Sequence, residues 1–323
     1  MASFSWERPL VLFSRCLGFD NCRYNAQIIG FEFGRQLLPY LDHATVCPEM
    51  AVGLGVPRDP IRIESDRGKG RRLVQPSTGH DVSADMEKFA EEFLSTLDPE
   101  KLDGIILKSR SPSCGIAGVK IYPCTGKCMA TGKGPGFFGD AVLRRFPLHA
   151  VEDEGRLIDR GLREHFLTRI FLFAEFRRVR AAKKMDSLVA FHSRHKYLFK
   201  AYHQAKSALL GKIVANHDRL TVAKVIALYE PAMRETVLKP LRPTALINAY
   251  EHIFGYFSDR LSKPEKDHYF DLMAHYRAGR ITFNVPAALL KSWALRFNDG
   301  YILSQSIFEP YPAELTMIVE RSE

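Results

Sequence analysis

The chain has 323 residues, 46% of them hydrophobic, and a formal charge of +9, enough apolar material for two ordinary cores. No run approaches the roughly 18 consecutive apolar residues of a membrane span, and the start, with Glu7 beside Arg8, lacks the basic and long apolar regions of a secretory leader. The expected setting is therefore the cytoplasm, a reducing compartment in which six cysteines point to metal or catalysis over a disulfide framework.

In chain order, PLVLFS (9–14), HATVC (43–47), GIILKS (104–109) and VKIYP (119–123) are short runs rich in apolar or β-branched residues and bounded by turn formers. They predict strands. Between them, residues 82–97 place Met86, Phe89, Ala90, Phe93, Leu94 and Leu97 at helical spacing, with Asp81 or Ser83 able to cap the start. Alternating strands and helices predict a Rossmann-like α/β domain with a mostly parallel sheet, whose binding crevice lies beyond the carboxyl ends of the strands. From about residue 157 the pattern changes to long helical segments, and an all-α domain is expected. The join falls near EDEGR (152–156), dividing the chain into residues 1–153 and 154–323.

Cysteine and charge are distributed in opposite directions. All six cysteines precede residue 130, whereas residues 1–150 hold 19 Lys+Arg against 17 Asp+Glu and residues 151–323 hold 27 against 20. Thiol chemistry belongs to the first domain, and the basic surplus of the second favours a polyanionic partner. Cys16 follows the first strand, Cys47 ends the second, and Cys114 lies in SPSCG after the third. A parallel sheet can bring these three positions to one edge. Thiolates are the ligands of iron-sulfur clusters, and three on a four-iron cluster leave one iron open. Buried structural thiols, or a zinc ion held by four cysteines, are the other readings of the same residues.

The segments SRCLGFDNCRYN (14–25), VCPEMAVGLGVPRDPIRIE (46–64) and LKSRSPSCG (107–115) resemble, in order, the three signature blocks of the TudS-type thiouracil desulfidase family. FHSRHKYLFKAYH (191–203) and LGKIVA (210–215) are similar to a second, uncharacterised domain family found fused behind the first. The fusion resembles RudS-type tRNA 4-thiouridine desulfidases. That resemblance implies a 4Fe-4S cluster with three cysteine ligands, Cys16, Cys47 and Cys114, and one open iron. It also implies a catalytic glutamate at Glu49 and a catalytic serine at Ser111, with Ser113 as the alternative, and tRNA containing 4-thiouridine as partner. Cys22 reads as a structural thiol, and Cys124 and Cys128 lie outside the blocks. Arg15 departs from the commoner family form, in which a small residue precedes the first cysteine.

Exchanging C=S for C=O needs no net electron transfer, so the expected activity is a non-redox desulfidase in which a carboxylate such as Glu49 moves protons. Arg58, the stretch DRGKGRR (66–72) and Lys133 are candidate phosphate contacts near the pocket. In the helical domain Arg177, Arg178, Arg180, Lys183 and Lys184 form a basic run that reads as a nucleic-acid contact. His192 and His195, three apart on one helical face, have a spacing that permits metal binding, but structural or RNA-contacting roles suit them better. The alternatives are a desulfidase of free thiouracil bases and a non-catalytic zinc-containing RNA-binding protein.

Overall fold

The computed structural model describes residues 6–66, 70–123 and 128–316. Four of the five side chains of Leu10–Ser14 (β1) are buried, the pattern of a strand covered on both faces. The short helix α1 (Glu32–Leu37) leads to β2 (Asp42–Val46), which runs parallel to β1 with Leu12 opposite Ala44 and Ser14 opposite Val46. After the brief helix α2 (Pro48–Ala51) come an antiparallel hairpin of β3 (Arg62–Asp66) and β4 (Gly70–Val74), the helix α3 (Ser83–Thr96) and β5 (Gly104–Leu107). β5 lies on the other flank of β1, with Phe13 opposite Ile106. Then β6 (Val119–Tyr122), β7 (Gly132–Gly134), the helix α4 (Phe137–Arg145) and β8 (Ala150–Asp153) follow.

The first sheet has the order β2-β1-β5-β8 and all of its pairings are parallel. The chain leaves β1 toward β2 on one side and later returns to β5 on the other. The loops at the carboxyl ends of these three strands therefore diverge and open a crevice between them. A second sheet, β4-β3-β6-β7, mixes antiparallel and parallel pairs. The four strands and the helix expected in this region all form, with ends displaced by one or two residues. VKIYP, however, supplies the second sheet and not the first. DRGKGRR is partly hairpin: residues 67–69 lie outside the described residues, while Arg71 and Arg72 belong to β4 and pair with Asp140 and Glu64.

Helix α3 buries Met86, Ala90 and Leu94, one residue in four, in a core shared with Leu12, Ile105 and Phe138. The Phe138 ring stands 6.2 and 6.0 Å from those of Phe89 and Phe93. Full burial of side chains of this kind contributes about 1.5–3 kcal/mol each, so this face holds α3 over the sheet.

The chain divides into two compact units, one reaching Ala174 and including the described residues from Glu314 on, the other spanning Glu175–Ala313. The division falls inside α5 (Arg160–Ala182). The second unit continues with α6 (Met185–Tyr202), α7 (Gln204–Ala215), α8 (Val222–Thr236), α9 (Pro243–Phe254), α10 (Lys263–Arg277), α11 (Asn284–Arg296) and α12 (Gly300–Leu303), helices as expected. No described helix is long and apolar enough to cross a membrane. His195 is 2% exposed, and its Nδ1 and Nε2 pair with Ser306 Oγ at 2.7 Å and Glu175 Oε2 at 3.1 Å. His192 Nδ1 meets the Tyr229 hydroxyl at 3.0 Å, and burial pushes its imidazole down to about 4. Both histidines are engaged in the helical core.

Candidate active site

The loop after β5 is held from three directions. Glu154, just past β8, accepts from the Ser109 amide at 2.6 Å and the Ser109 hydroxyl at 2.7 Å, and also pairs with the Lys108 ammonium. The Ser111 hydroxyl accepts from the amides of Ser113 and Cys114 at 3.3 and 3.1 Å, closing the Pro112 turn. Beyond it, the start of α4 presses onto the loop. The amides of Gly136, Phe137 and Gly139 donate to the carbonyls of Gly115, Pro112 and Ser113 at 2.7, 3.1 and 3.0 Å. Amides at a helix start have no partner within the helix, and here the loop backbone provides one. Glycine is required for this approach, because a Cβ on Gly139 would lie 2.3 Å from the Gly115 carbonyl oxygen. Gly139→Ala is expected to cost about 1–3 kcal/mol, the usual penalty of overpacking, and to loosen the segment carrying Ser111, Ser113 and Cys114. Chemical denaturation beside the parent reads the loss; an unchanged midpoint would refute it.

Cys16 follows β1, Cys47 directly follows β2 and precedes α2, and Cys114 ends the tight turn after β5. All three line one cavity of about 890 Å³ at the crevice predicted by the strand order. The convergence expected at one sheet edge is realised. The five described cysteines, Cys16, Cys22, Cys47, Cys114 and Cys128, are thiols, and Cys124 lies outside the described residues. Cys22, only 2% exposed, also belongs to the cavity wall. The contact with the Cys16 thiol, together with burial, raises its thiol to about 11 against the opposing effect of Cys47. Cys47 is pushed upward by the contact with Cys22 and by burial, and Cys114 reaches about 12, chiefly through burial.

Glu49 stands in the first turn of α2, two residues beyond Cys47. Its Oε2 accepts from Arg58 Nη2 at 2.5 Å and Nε at 3.1 Å; its Oε1 accepts from the Ser113 hydroxyl at 2.5 Å and the Ser111 hydroxyl at 3.4 Å. The two serine oxygens are themselves 3.0 Å apart. Arg58 is almost fully buried, its side chain 4% exposed, and also donates to the carbonyls of Gly55 at 2.6 Å and Cys22 at 3.1 Å. Arg58 therefore orients Glu49 and ties the Cys22 segment to it, in place of the phosphate contact expected from the sequence. Ser113 makes the shorter bond to Glu49 but is fully buried, while Ser111 is the more accessible of the two.

Three contributors escaped the sequence reading. Ser14, 1% exposed, accepts from the Lys108 amide at 2.9 Å and interacts with the Cys114 thiol. Asp153 lines the cavity with its carboxyl raised by burial, and Glu154 anchors Ser109. The last two lie in EDEGR, read from the sequence as a join. AVED (150–153) carries no apolar–polar alternation, and four residues are too few to separate a strand from a linker. Of the remaining expected contacts, Lys133 lies in β7, away from the cavity wall. In the second unit Arg180 pairs with Glu230 at 2.8 Å, whereas Lys183 and Lys184 are exposed just beyond the end of α5.

Two family models match separate stretches of the chain. Residues 196–312 match DUF1722, a protein family of unknown function, and residues 11–154 match the 2-thiouracil desulfurase family. The chain is 32% identical over 110 residues to uncharacterized protein YbbK of Bacillus subtilis (strain 168), a stretch covering 33% of this chain and 73% of YbbK. It is 26% identical over 182 residues to uncharacterized protein YbgA of Escherichia coli (strain K12), covering 56% of this chain and 94% of YbgA. Among solved structures, the [4Fe-4S]-dependent thiouracil desulfidase TudS is 28% identical, with a TM-score of 0.37, over 47% of this chain and 94% of that one. Through its cysteine-bearing first region this chain belongs to the 2-thiouracil desulfurase family, with a DUF1722 region following.

Proposed function

We propose that this protein is a cytoplasmic desulfidase that removes sulfur from 4-thiouridine in tRNA, giving uridine and sulfide, with a 4Fe-4S cluster on Cys16, Cys47 and Cys114. The observation that carries this reading is the meeting, in one cavity, of those three thiols with Glu49, Ser111 and Ser113, in a chain of a desulfurase family. The residues fit the group. Thiolates are the required donors, and a four-iron cube takes one thiolate per iron at separate corners. It does not call for the tight gathering of ligands around a single ion, a grouping not found among the described residues. Cys16, Cys47 and Cys114 would hold such a cluster, which would supply Lewis acidity toward a soft sulfur atom.

The chain's own residues perform the proton chemistry. Glu49 accepts a proton from the water that adds to the ring carbon and returns one to the departing sulfur, so the thiocarbonyl and water become a carbonyl and hydrogen sulfide with no electrons exchanged. Arg58 holds one carboxylate oxygen and the serine pair holds the other, so Glu49 needs little reorganisation. Ser111, at the more accessible end of that pair, orients the water or the base.

The helical second unit supplies tRNA affinity in this reading. Within the basic run, Arg180 is engaged with Glu230, whereas Arg178 on α5 and Lys183 and Lys184 just beyond it are exposed. A desulfidase of free thiouracil is the second reading, favoured by one observation: every cavity-lining residue lies between Ser14 and Ile158. Comparing turnover on tRNA bearing 4-thiouridine with turnover on 4-thiouracil separates the two. Phosphate contacts release counterions, so replacing Lys183 and Lys184 by Ala is expected to weaken tRNA binding and flatten its logarithmic salt dependence by about 1.5. Identical slopes in parent and variant would remove this segment from the interface.

A further inference from the structure

The sulfur atoms of the three thiols proposed as cluster ligands do not have equivalent surroundings. The Cys47 sulfur accepts from the backbone amide of Met50 in α2. Cys114 is buried, and two hydroxyls stand beside its sulfur, those of Ser14 and Ser113. A hydroxyl carries one hydrogen, so each can serve one acceptor at a time.

Ser113 directs its hydrogen to Glu49 Oε1 at 2.5 Å. Ser14 ends β1, the strand lying between β2 and β5, and is buried. Its oxygen accepts from the Lys108 amide, just past β5, at 2.9 Å. An amide hydrogen on a hydroxyl oxygen occupies a lone pair and leaves the hydroxyl hydrogen to a second partner. Among the described residues that partner is the Cys114 sulfur. The backbone leaves Ser14 little room to turn away. Ser14 stands opposite Val46 in the register of β1 and β2, the Arg15 amide donates to the Val46 carbonyl at 2.8 Å, and the Leu17 amide donates to the Ser14 carbonyl at 3.0 Å. The Cys114 end is equally fixed, its amide donating to the Ser111 hydroxyl at 3.1 Å.

A hydrogen bond to a thiolate draws charge away from sulfur. On a cluster ligand this leaves less charge to pass to iron, which weakens that iron–thiolate bond, raises the reduction potential and makes the iron a stronger acid toward an incoming sulfur. We infer that Ser14 is a positioning residue of the desulfidase: its hydroxyl donates to the Cys114 thiolate and so sets how strongly the iron centre attracts sulfur. This rests on the function proposed above for the presence of the cluster.

The test uses full-length parent, Ser14→Ala and Ser14→Thr proteins prepared anaerobically, with iron content, resonance Raman spectrum, reduction potential and turnover measured on each. Loss of the hydroxyl in Ser14→Ala is expected to raise an iron–thiolate stretching frequency, lower the potential and reduce turnover about tenfold or more. Ser14→Thr keeps a hydroxyl on the same carbon and is expected to return all three toward the parent values. A serine that only fills space would alter iron content in Ser14→Ala and leave the frequency and potential of the loaded fraction unchanged, and that result overturns the inference. Should Ser14→Ala take up no iron, Ser14→Thr decides: loading at the parent potential supports the hydroxyl's role, and no iron or a lowered potential overturns it. A parent without iron and sulfide overturns the proposed function and this inference together. A loaded parent whose spectrum and potential match those of Ser14→Ala overturns this inference alone.

Discussion

Protein prepared without oxygen is expected to contain about four irons and four sulfides per chain, and Cys47→Ala essentially none. Cys47 sits where β2 ends and α2 begins, so its backbone is fixed by a strand on one side and by the amide of Ala51 bonding its carbonyl at 3.1 Å on the other. The backbone at Cys47 therefore presents its thiol at one fixed point of the cavity wall. Cys16→Ala and Cys114→Ala are expected to fail in the same way, each removing one corner ligand. Cys128→Ala should load normally, since Cys128 does not line the cavity. Cys124→Ala should also load normally, as Cys124 falls outside the signature blocks. Iron and acid-labile sulfide determinations, with the visible absorption spectrum, make the measurement. Full iron loading in Cys47→Ala would overturn the ligand assignment, and colourless parent protein with stoichiometric zinc would move the whole site to the structural-metal reading.

Glu49→Gln is expected to keep the cluster and lose on the order of a hundredfold or more in turnover, the effect of removing a general acid-base group. The substitution suits the question because of the partners on either side. A glutamine can turn its amide oxygen to the Arg58 guanidinium and its amide nitrogen to the Ser113 hydroxyl, the two partners that Glu49 bonds now. Shape and hydrogen bonding are therefore preserved, and the capacity to carry a proton is removed. Glu49→Ala would be a poorer choice, since it leaves the buried Arg58 without its counter-charge and such a loss typically costs about 3–5 kcal/mol. Parent-like turnover by a fully loaded Glu49→Gln protein would exclude Glu49 as the proton carrier.

Local patterns were enough to assign the class of each half and the positions of the thiols relative to the strands. Short β-branched runs and the one-in-four burial of Met86, Ala90 and Leu94 are signals written at the period of the element they form. A cysteine just past such a run must lie at a strand end. The signature blocks around Cys16, Cys47 and Cys114 carried the family, which the comparison with known proteins then established. Folding added the relations between residues far apart in the chain. Glu49 and Ser113, 64 residues apart, share a 2.5 Å hydrogen bond, and Ser109 depends on Glu154, 45 residues on. No local periodicity encodes such pairs. Arg58 shows the difference most directly: as a residue in a sequence it is one more cation available to phosphate, and only the packing of its loop against α2 commits it to a carboxylate.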